Sequence, residues 1–149
     1  MCYIHRDEVQ HRQAVQILNS ASGRLLTHSY VLAELVALAQ TRRFPRSAVL
    51  TFILDWLDSS STVTVWVSEQ LHREAMQLLI ARQDKTYSLC DAVSFVLMQQ
   101  RGLTKTLTTD RHFEQAGKTR LLQSVSSLGR RDRDSVSDRD RERYPCGYC

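Results

Sequence analysis

Apolar positions along the chain switch between two periods. Ala14, Val15, Ile17, Leu18 and Ala21 recur at helical spacing, and Gly23 follows them as a stop. Asp7 and Gln10 stand three apart ahead of that stripe, a capping-box pattern that puts the helix start at Asp7. The letters LLTHS at 25–29 then read as a short strand, and a second helix is predicted over 30–41. Pro45 suits the first turn of a third helix running to about Leu57, and three serines at 59–61 turn the chain. The β-branched run TVTVWV at 62–67 predicts a strand. Ser68 caps the next helix, with Leu71, Ala75, Leu78 and Leu79 inward, and Ser88 caps another that reaches Gln100 before Gly102. A strand over 106–109, a short helical turn and a last strand near Leu121 and Leu122 complete the pattern. Strand and helix alternating at this spacing predict an α/β sandwich with a parallel sheet.

Composition divides the chain. Residues 129–149 hold six Arg against five acids and almost no aliphatic side chain, too little apolar surface to offset the entropy of ordering. They read as a disordered charged tail behind a folded domain over 1–128. At 149 residues, with 42% apolar and 24% charged, the chain has the size and make-up of one globular domain. The net charge of +4 fits an anionic partner without specifying one. No apolar run approaches the ~20 residues that span a bilayer, and the amino terminus carries no secretory pattern, so the expected setting is the cytosol. Cys2, Cys90, Cys146 and Cys149 lack the spacing of a disulfide framework. Cys146 and Cys149 have redox-pair spacing but no following helix to activate a thiol.

Three acids carry the chemistry. Glu34 is the only charge in YVLAELVALA, where Val31 and Leu38 share its face, so its carboxylate is expected to be shielded from water. Asp91 opens the apolar run AVSFVLM, and Asp110 ends the strand over 107–109. Each has a plain alternative: Asp91 is the third residue of a Ser88 capping box, Asp110 caps a turn, and Glu34 stands half exposed. In a parallel sheet, however, all three positions converge on the edge where ligands bind. Like charges gathered there call for a hard cation. An oxygen-only set points to Mg²⁺ or Mn²⁺, ions that activate water and steady phosphoryl oxygens in nucleases. Around them, Arg111 and His112 can touch phosphate, although a solvated turn also accounts for His112. Arg42 and Arg43, with Arg46, form the densest basic cluster, which binds RNA phosphate or simply ends a helix. Thr109 and Ser88 can hydrogen-bond carboxylates or metal-bound water. His5, His11, His28 and His72 read as structural, and Trp56 and Trp66 as core.

With RDEVQHRQA, LLTHSYVLAELVAL, YSLCDAVSFVLM and LTTDRHFEQAG in this order and spacing, the chain resembles the PIN-domain ribonucleases over residues 4–122, and among them the VapC-type toxins of bacterial toxin–antitoxin pairs. The resemblance implies a PIN-like three-layer sandwich. It makes Glu34, Asp91 and Asp110 three of the family's four metal-binding acids, acting on RNA with Mg²⁺ or Mn²⁺. It also implies a homodimer, a silencing antitoxin and no membrane. The family's first strand ends in the fourth acid, whereas this chain opens inside the helix that should follow it. A central strand and a quarter of the metal site are therefore expected to be missing. Two further readings follow: a catalytically impaired remnant that only binds partners, and an α/β interaction protein whose acids are helix caps.

Overall fold

The β-branched residues Thr62, Val63, Thr64 and Val65 form the strand that organises the first half of the molecule. A computed structural model of the chain describes residues 10–21 and 23–122. Its elements are α1 (His11–Ser20), β1 (Leu25–His28), α2 (Ser29–Thr41), α3 (Arg46–Asp58), β2 (Thr62–Val65), α4 (Glu69–Ala81), α5 (Leu89–Gln100), β3 (Lys105–Thr106), α6 (His112–Gln115) and β4 (Thr119–Arg120). β1 and β2 pair in parallel, Leu25 opposite Thr62 through His28 opposite Val65. Parallel partners need a crossover, and α2 and α3 supply it. β3 and β4 also pair in parallel, linked through α6. The expected α/β class with parallel strands is thus observed. The Asp7 cap, the start of the chain, Cys2, the Cys146 and Cys149 pair and the tail over 129–149 lie outside the described residues.

Two predicted strands are shorter than the sequence pattern. β2 stops at Val65 because the Val67 N–H leaves the ladder for the Ser29 hydroxyl at 3.1 Å. Trp66, expected in the core, is instead 69% exposed. The strand expected over 106–109 shrinks to β3 and its end moves back to Thr106. The Thr104 and Thr106 carbonyls accept from Thr119 and Leu121, and β4 offers nothing beyond. Past that point the Thr108 hydroxyl accepts the Asp110 N–H at 3.1 Å, a local bond that competes with strand pairing. Asp110 therefore sits in irregular chain past β3. The last strand lies at Thr119–Arg120, just before the two leucines expected to form it.

Among the described residues the sheet is divided. β1–β2 and β3–β4 are separate two-stranded sheets with no hydrogen bond between them. The Leu25 N–H points toward β2, donating to the Ser61 carbonyl, so the alternation of a parallel strand turns the Leu26 backbone the other way. By the same alternation Lys105 faces away from β4. Two cavities, of about 530 and 590 Å³, share Leu26, Thr27, Leu103, Lys105 and Leu107 in their walls. The space between the half-sheets is open on both sides of those residues.

The core is fastened to one flank. Leu71 and Ala75 of α4 pack on Ala92 and Val93 of α5, with Tyr30, Val65 and Val67 against them. Ser68 caps α4, its hydroxyl accepting from Leu71 N at 3.2 Å. At the other end of α5, Gly102 adopts φ +63°, and Leu103 N donates to the Met98 carbonyl at 2.8 Å, a Schellman ending that needs a residue tolerant of positive φ. A second cluster joins Phe95 and Met98 of α5 to Phe113 of α6. Phe95 meets Phe113 edge-on at 4.9 Å and Tyr87 at 5.0 Å. Phe113 thereby fixes α6, and Asp110 three residues ahead of it, against the helix that carries Asp91. No helix among the described residues is long and apolar enough to cross a membrane.

Candidate metal centre

Ser88 ends its segment in extended backbone, so its hydroxyl is free to accept the Asp91 N–H, at 3.0 Å. Asp91 Oδ2 answers by accepting the Ser88 N–H at 2.9 Å. The capping-box reading of Asp91 is therefore present in full. Asp110 also caps: its Oδ1 accepts the His112 N–H at 2.8 Å. Each acid spends one oxygen on holding the local backbone. Asp91 Oδ1 and Asp110 Oδ2 take no protein hydrogen bond among the described residues.

These two caps face each other through a histidine. His112 Nδ1 lies 3.4 Å from Asp91 Oδ2 and 3.4 Å from Asp110 Oδ1. Its Nε2 is 3.2 Å from the Thr86 hydroxyl, and its ring meets Tyr87 edge-on at 5.4 Å. Ligand atoms of Asp91, Asp110 and His112 all lie within 4.8 Å of one another. The expectation of a solvated turn at His112 is corrected: the ring is half-buried, because Phe113 anchors α6 and Tyr87 closes over it. Sequence reasoning undervalued it for lack of a second His at metal spacing. The usable signal was its place two residues after one acid and next to a core aromatic.

Glu34 stands in the second turn of α2 and lines the same cavity of about 530 Å³ as Asp91, Asp110 and His112, but it is not in their 4.8 Å cluster. The shielding expected of it is corrected too. Glu34 is exposed and Val31 is 37% exposed, because this face of α2 opens on the cavity and not on packed side chains. Glu34 hydrogen-bonds the Cys90 thiol. Burial, a hydrogen bond with Glu34 and the charges of Glu34 and Asp91, in that order, push the Cys90 thiol far above its ordinary range. Cys90 thus stays a neutral thiol beside these acids.

Behind them His28 is buried, its Nε2 2.8 Å from the Ser94 hydroxyl, which donates to the Cys90 carbonyl at 3.0 Å. With that hydroxyl proton committed, Nε2 is the donor and Nδ1 is left as an unpartnered acceptor. Burial lowers the His28 pKa from 6.5 to about 4, so the ring is neutral near pH 7.

The basic candidates are scattered. Arg111 is exposed beside Asp110 at the start of α6. Arg42 and Arg43 follow α2, eight and nine residues past Glu34, or ~12–14 Å along a helix axis, and neither lines the cavity. Arg43 takes φ 56°, with Phe44 N donating to the Ala39 carbonyl at 2.9 Å, so the pair first of all ends the helix.

The donor set fits a divalent cation. Two carboxylates with free oxygens, a third carboxylate on the same cavity wall and an imidazole nitrogen supply oxygen donors with one nitrogen. No Lys or Arg pairs with Asp91 or Asp110 among the described residues, so the negative charge there is left for another ligand.

Comparison with known proteins identifies the family and the fold. The PIN domain family model matches residues 1–119. The 23S rRNA-specific endonuclease VapC20 of Mycobacterium tuberculosis strain H37Rv is 28% identical over 111 residues, covering 74% of this chain and 82% of that protein. Its counterpart in strain CDC 1551 matches to the same extent. The crystal structure of Mycobacterium tuberculosis VapC20, described as a sarcin–ricin loop cleaving toxin, superposes with a TM-score of 0.72 at 24% identity. That superposition covers 79% of this chain and 89% of that one.

Proposed function

The chain belongs to the PIN-domain family, and from that membership we propose that it is a metal-dependent endoribonuclease of the VapC toxin type, hydrolysing RNA phosphodiester bonds. The observation that carries the reading is the convergence of Asp91, in α5, and Asp110, in the loop before α6, on one cavity that Glu34 also lines. Glu34, Asp91 and Asp110 would hold Mg²⁺ or Mn²⁺. Bound there, the ion supplies an activated water and charge stabilisation for a phosphoryl group.

The protein's own part is to fix those carboxylates. The Ser88 capping box and the Asp110 turn hold two of them by backbone bonds, so little reorganisation accompanies binding. Arg111, exposed beside Asp110, would meet a phosphate of the substrate. Arg42 and Arg43 would contact RNA phosphate just past the end of α2 and contribute ordinary phosphate affinity. A ribosomal RNA loop is the substrate named for the relatives, and structured RNA is accordingly the substrate class proposed here. A protein antitoxin, a second copy of the chain and a cytoplasmic setting belong to the same reading.

The divided sheet favours a second reading, a catalytically impaired remnant that binds partners without cutting RNA. Among the described residues three acids line the cavity, and the facing edges of β1 and β3 are unpaired. Gel-resolved cleavage of structured RNA with Mn²⁺, with Mg²⁺ and with EDTA tests the first reading. Metal-dependent cleavage supports it; Mn²⁺ binding without cleavage of any RNA supports the second.

A further inference from the structure

We propose that His112 is itself a metal ligand, and that the centre is therefore a mixed nitrogen–oxygen site that prefers Mn²⁺ to Mg²⁺. The inference rests on the reading of Asp91 and Asp110 as cation-binding carboxylates and extends it to a residue outside that acid set.

The carrying observation is the position of Nδ1. At 3.4 Å from each carboxylate oxygen it is too far for a sound N–H···O hydrogen bond, which runs to about 3.2 Å, and it is buried with no hydrogen-bond partner. An unpartnered buried nitrogen costs free energy unless something takes its lone pair. The spacing suits a shared ion: adjacent ligands about 2.1 Å from an octahedral centre are about 3.0 Å apart. Separations of 3.4 Å, with all three donors inside 4.8 Å, need only a small inward movement.

The rest of the ring is organised for this task. When Nε2–H donates to the Thr86 hydroxyl, at 3.2 Å, the tautomer that remains presents the Nδ1 lone pair to the carboxylates. Tyr87 holds the ring edge-on, and the His112 backbone N–H is bound by Asp110 itself. Thr86 is thus a positioning residue and His112 the ligand. Imidazole suits transition metals, whereas Mg²⁺ takes oxygen and keeps its water, so one nitrogen tilts the site toward Mn²⁺.

The test is electron spin-echo spectroscopy of the full chain loaded with one equivalent of Mn²⁺, beside calorimetric titrations with Mn²⁺ and with Mg²⁺. The expected result is ¹⁴N modulation from a directly bound imidazole in the wild type. In His112→Gln that modulation is lost and Mn²⁺ affinity falls at least about tenfold, with Mg²⁺ affinity changed much less. Thr86→Val weakens Mn²⁺ binding while the nitrogen signal persists. If Mn²⁺ binds and is lost in Asp110→Asn, but the wild type shows no nitrogen modulation, the ligand proposal fails and the carboxylate reading stands. If the wild type binds no Mn²⁺ at all, both fail together. The wild-type spectrum decides the matter even if a variant does not fold.

Discussion

Asp91 accepts the backbone N–H of Ser88 at 2.9 Å with the same oxygen that faces His112, so a helix cap and a candidate metal ligand are one side chain. The two roles separate on substitution. Asp91→Ala loses the cap and should destabilise the fold by about 1 kcal/mol. Asp91→Asn keeps an acceptor for Ser88 and relieves charge repulsion with Asp110, so its stability should match the wild type or exceed it. Both should lose divalent-ion binding. Urea midpoints and Mn²⁺ calorimetry on the two variants measure the two roles independently.

Charge crowding gives the second prediction. Asp91 and Asp110 have no Lys or Arg partner among the described residues, so a bound divalent ion should stabilise the native state by mass action, about 2.7 kcal/mol at a hundredfold excess over Kd. Thermal melts with and without Mn²⁺ should show a rise in Tm for the wild type. The rise should vanish in Asp110→Asn and shrink in Glu34→Gln, whose carboxylate lies outside the tight cluster.

His28 sets an acid limit. Its folded pKa of about 4 lies below the ordinary 6.5, because burial disfavours the imidazolium. The unfolded chain takes up the proton first. Stability from this residue is complete above about pH 6.5 and is lost as pH falls toward 4, by up to about 3 kcal/mol. Comparing wild type with His28→Gln in urea at pH 7.5, 6 and 5 isolates the effect, since the carboxylates titrate in both. The difference between them should narrow as the pH falls.

The divided sheet leads to a fourth expectation. Leu26 and Lys105 turn backbone groups toward the space between β1 and β3, and an extended segment there would satisfy both edges. A strand-forming peptide of about 5–6 residues supplied in trans should bind along those edges and raise Tm. An unchanged Tm would show that the gap is not a strand site.

Much of this was legible from residue patterns, and the exceptions have physical causes. The Ser68 and Ser88 caps, the Gly102 stop and the β-branched run at Thr62 are local signals, and each marks an observed boundary. The extent of β3 was not legible, since it depends on how far β4 runs alongside and on Thr108 capturing the Asp110 N–H. Trp66 was misjudged because aromatic character says nothing about which side of a strand end faces solvent. For the candidate site, sequence reasoning singled out Asp91, Asp110 and Glu34, yet the burial assigned to Glu34 presumed a packed neighbour where the fold leaves a cavity. His112 joins the acids only through the packing of Phe113 on Phe95, a contact between residues 18 apart that no local pattern reveals.

The most direct test of the central claim is the Mn²⁺ dependence of RNA cleavage, followed on one structured RNA beside the calorimetric Kd in the same buffer. The account predicts that the activation midpoint coincides with that Kd, and that binding and cleavage disappear together in Asp110→Asn. Cleavage that persists in Asp110→Asn or in EDTA would contradict it, since the cutting would then owe nothing to the carboxylates gathered around His112.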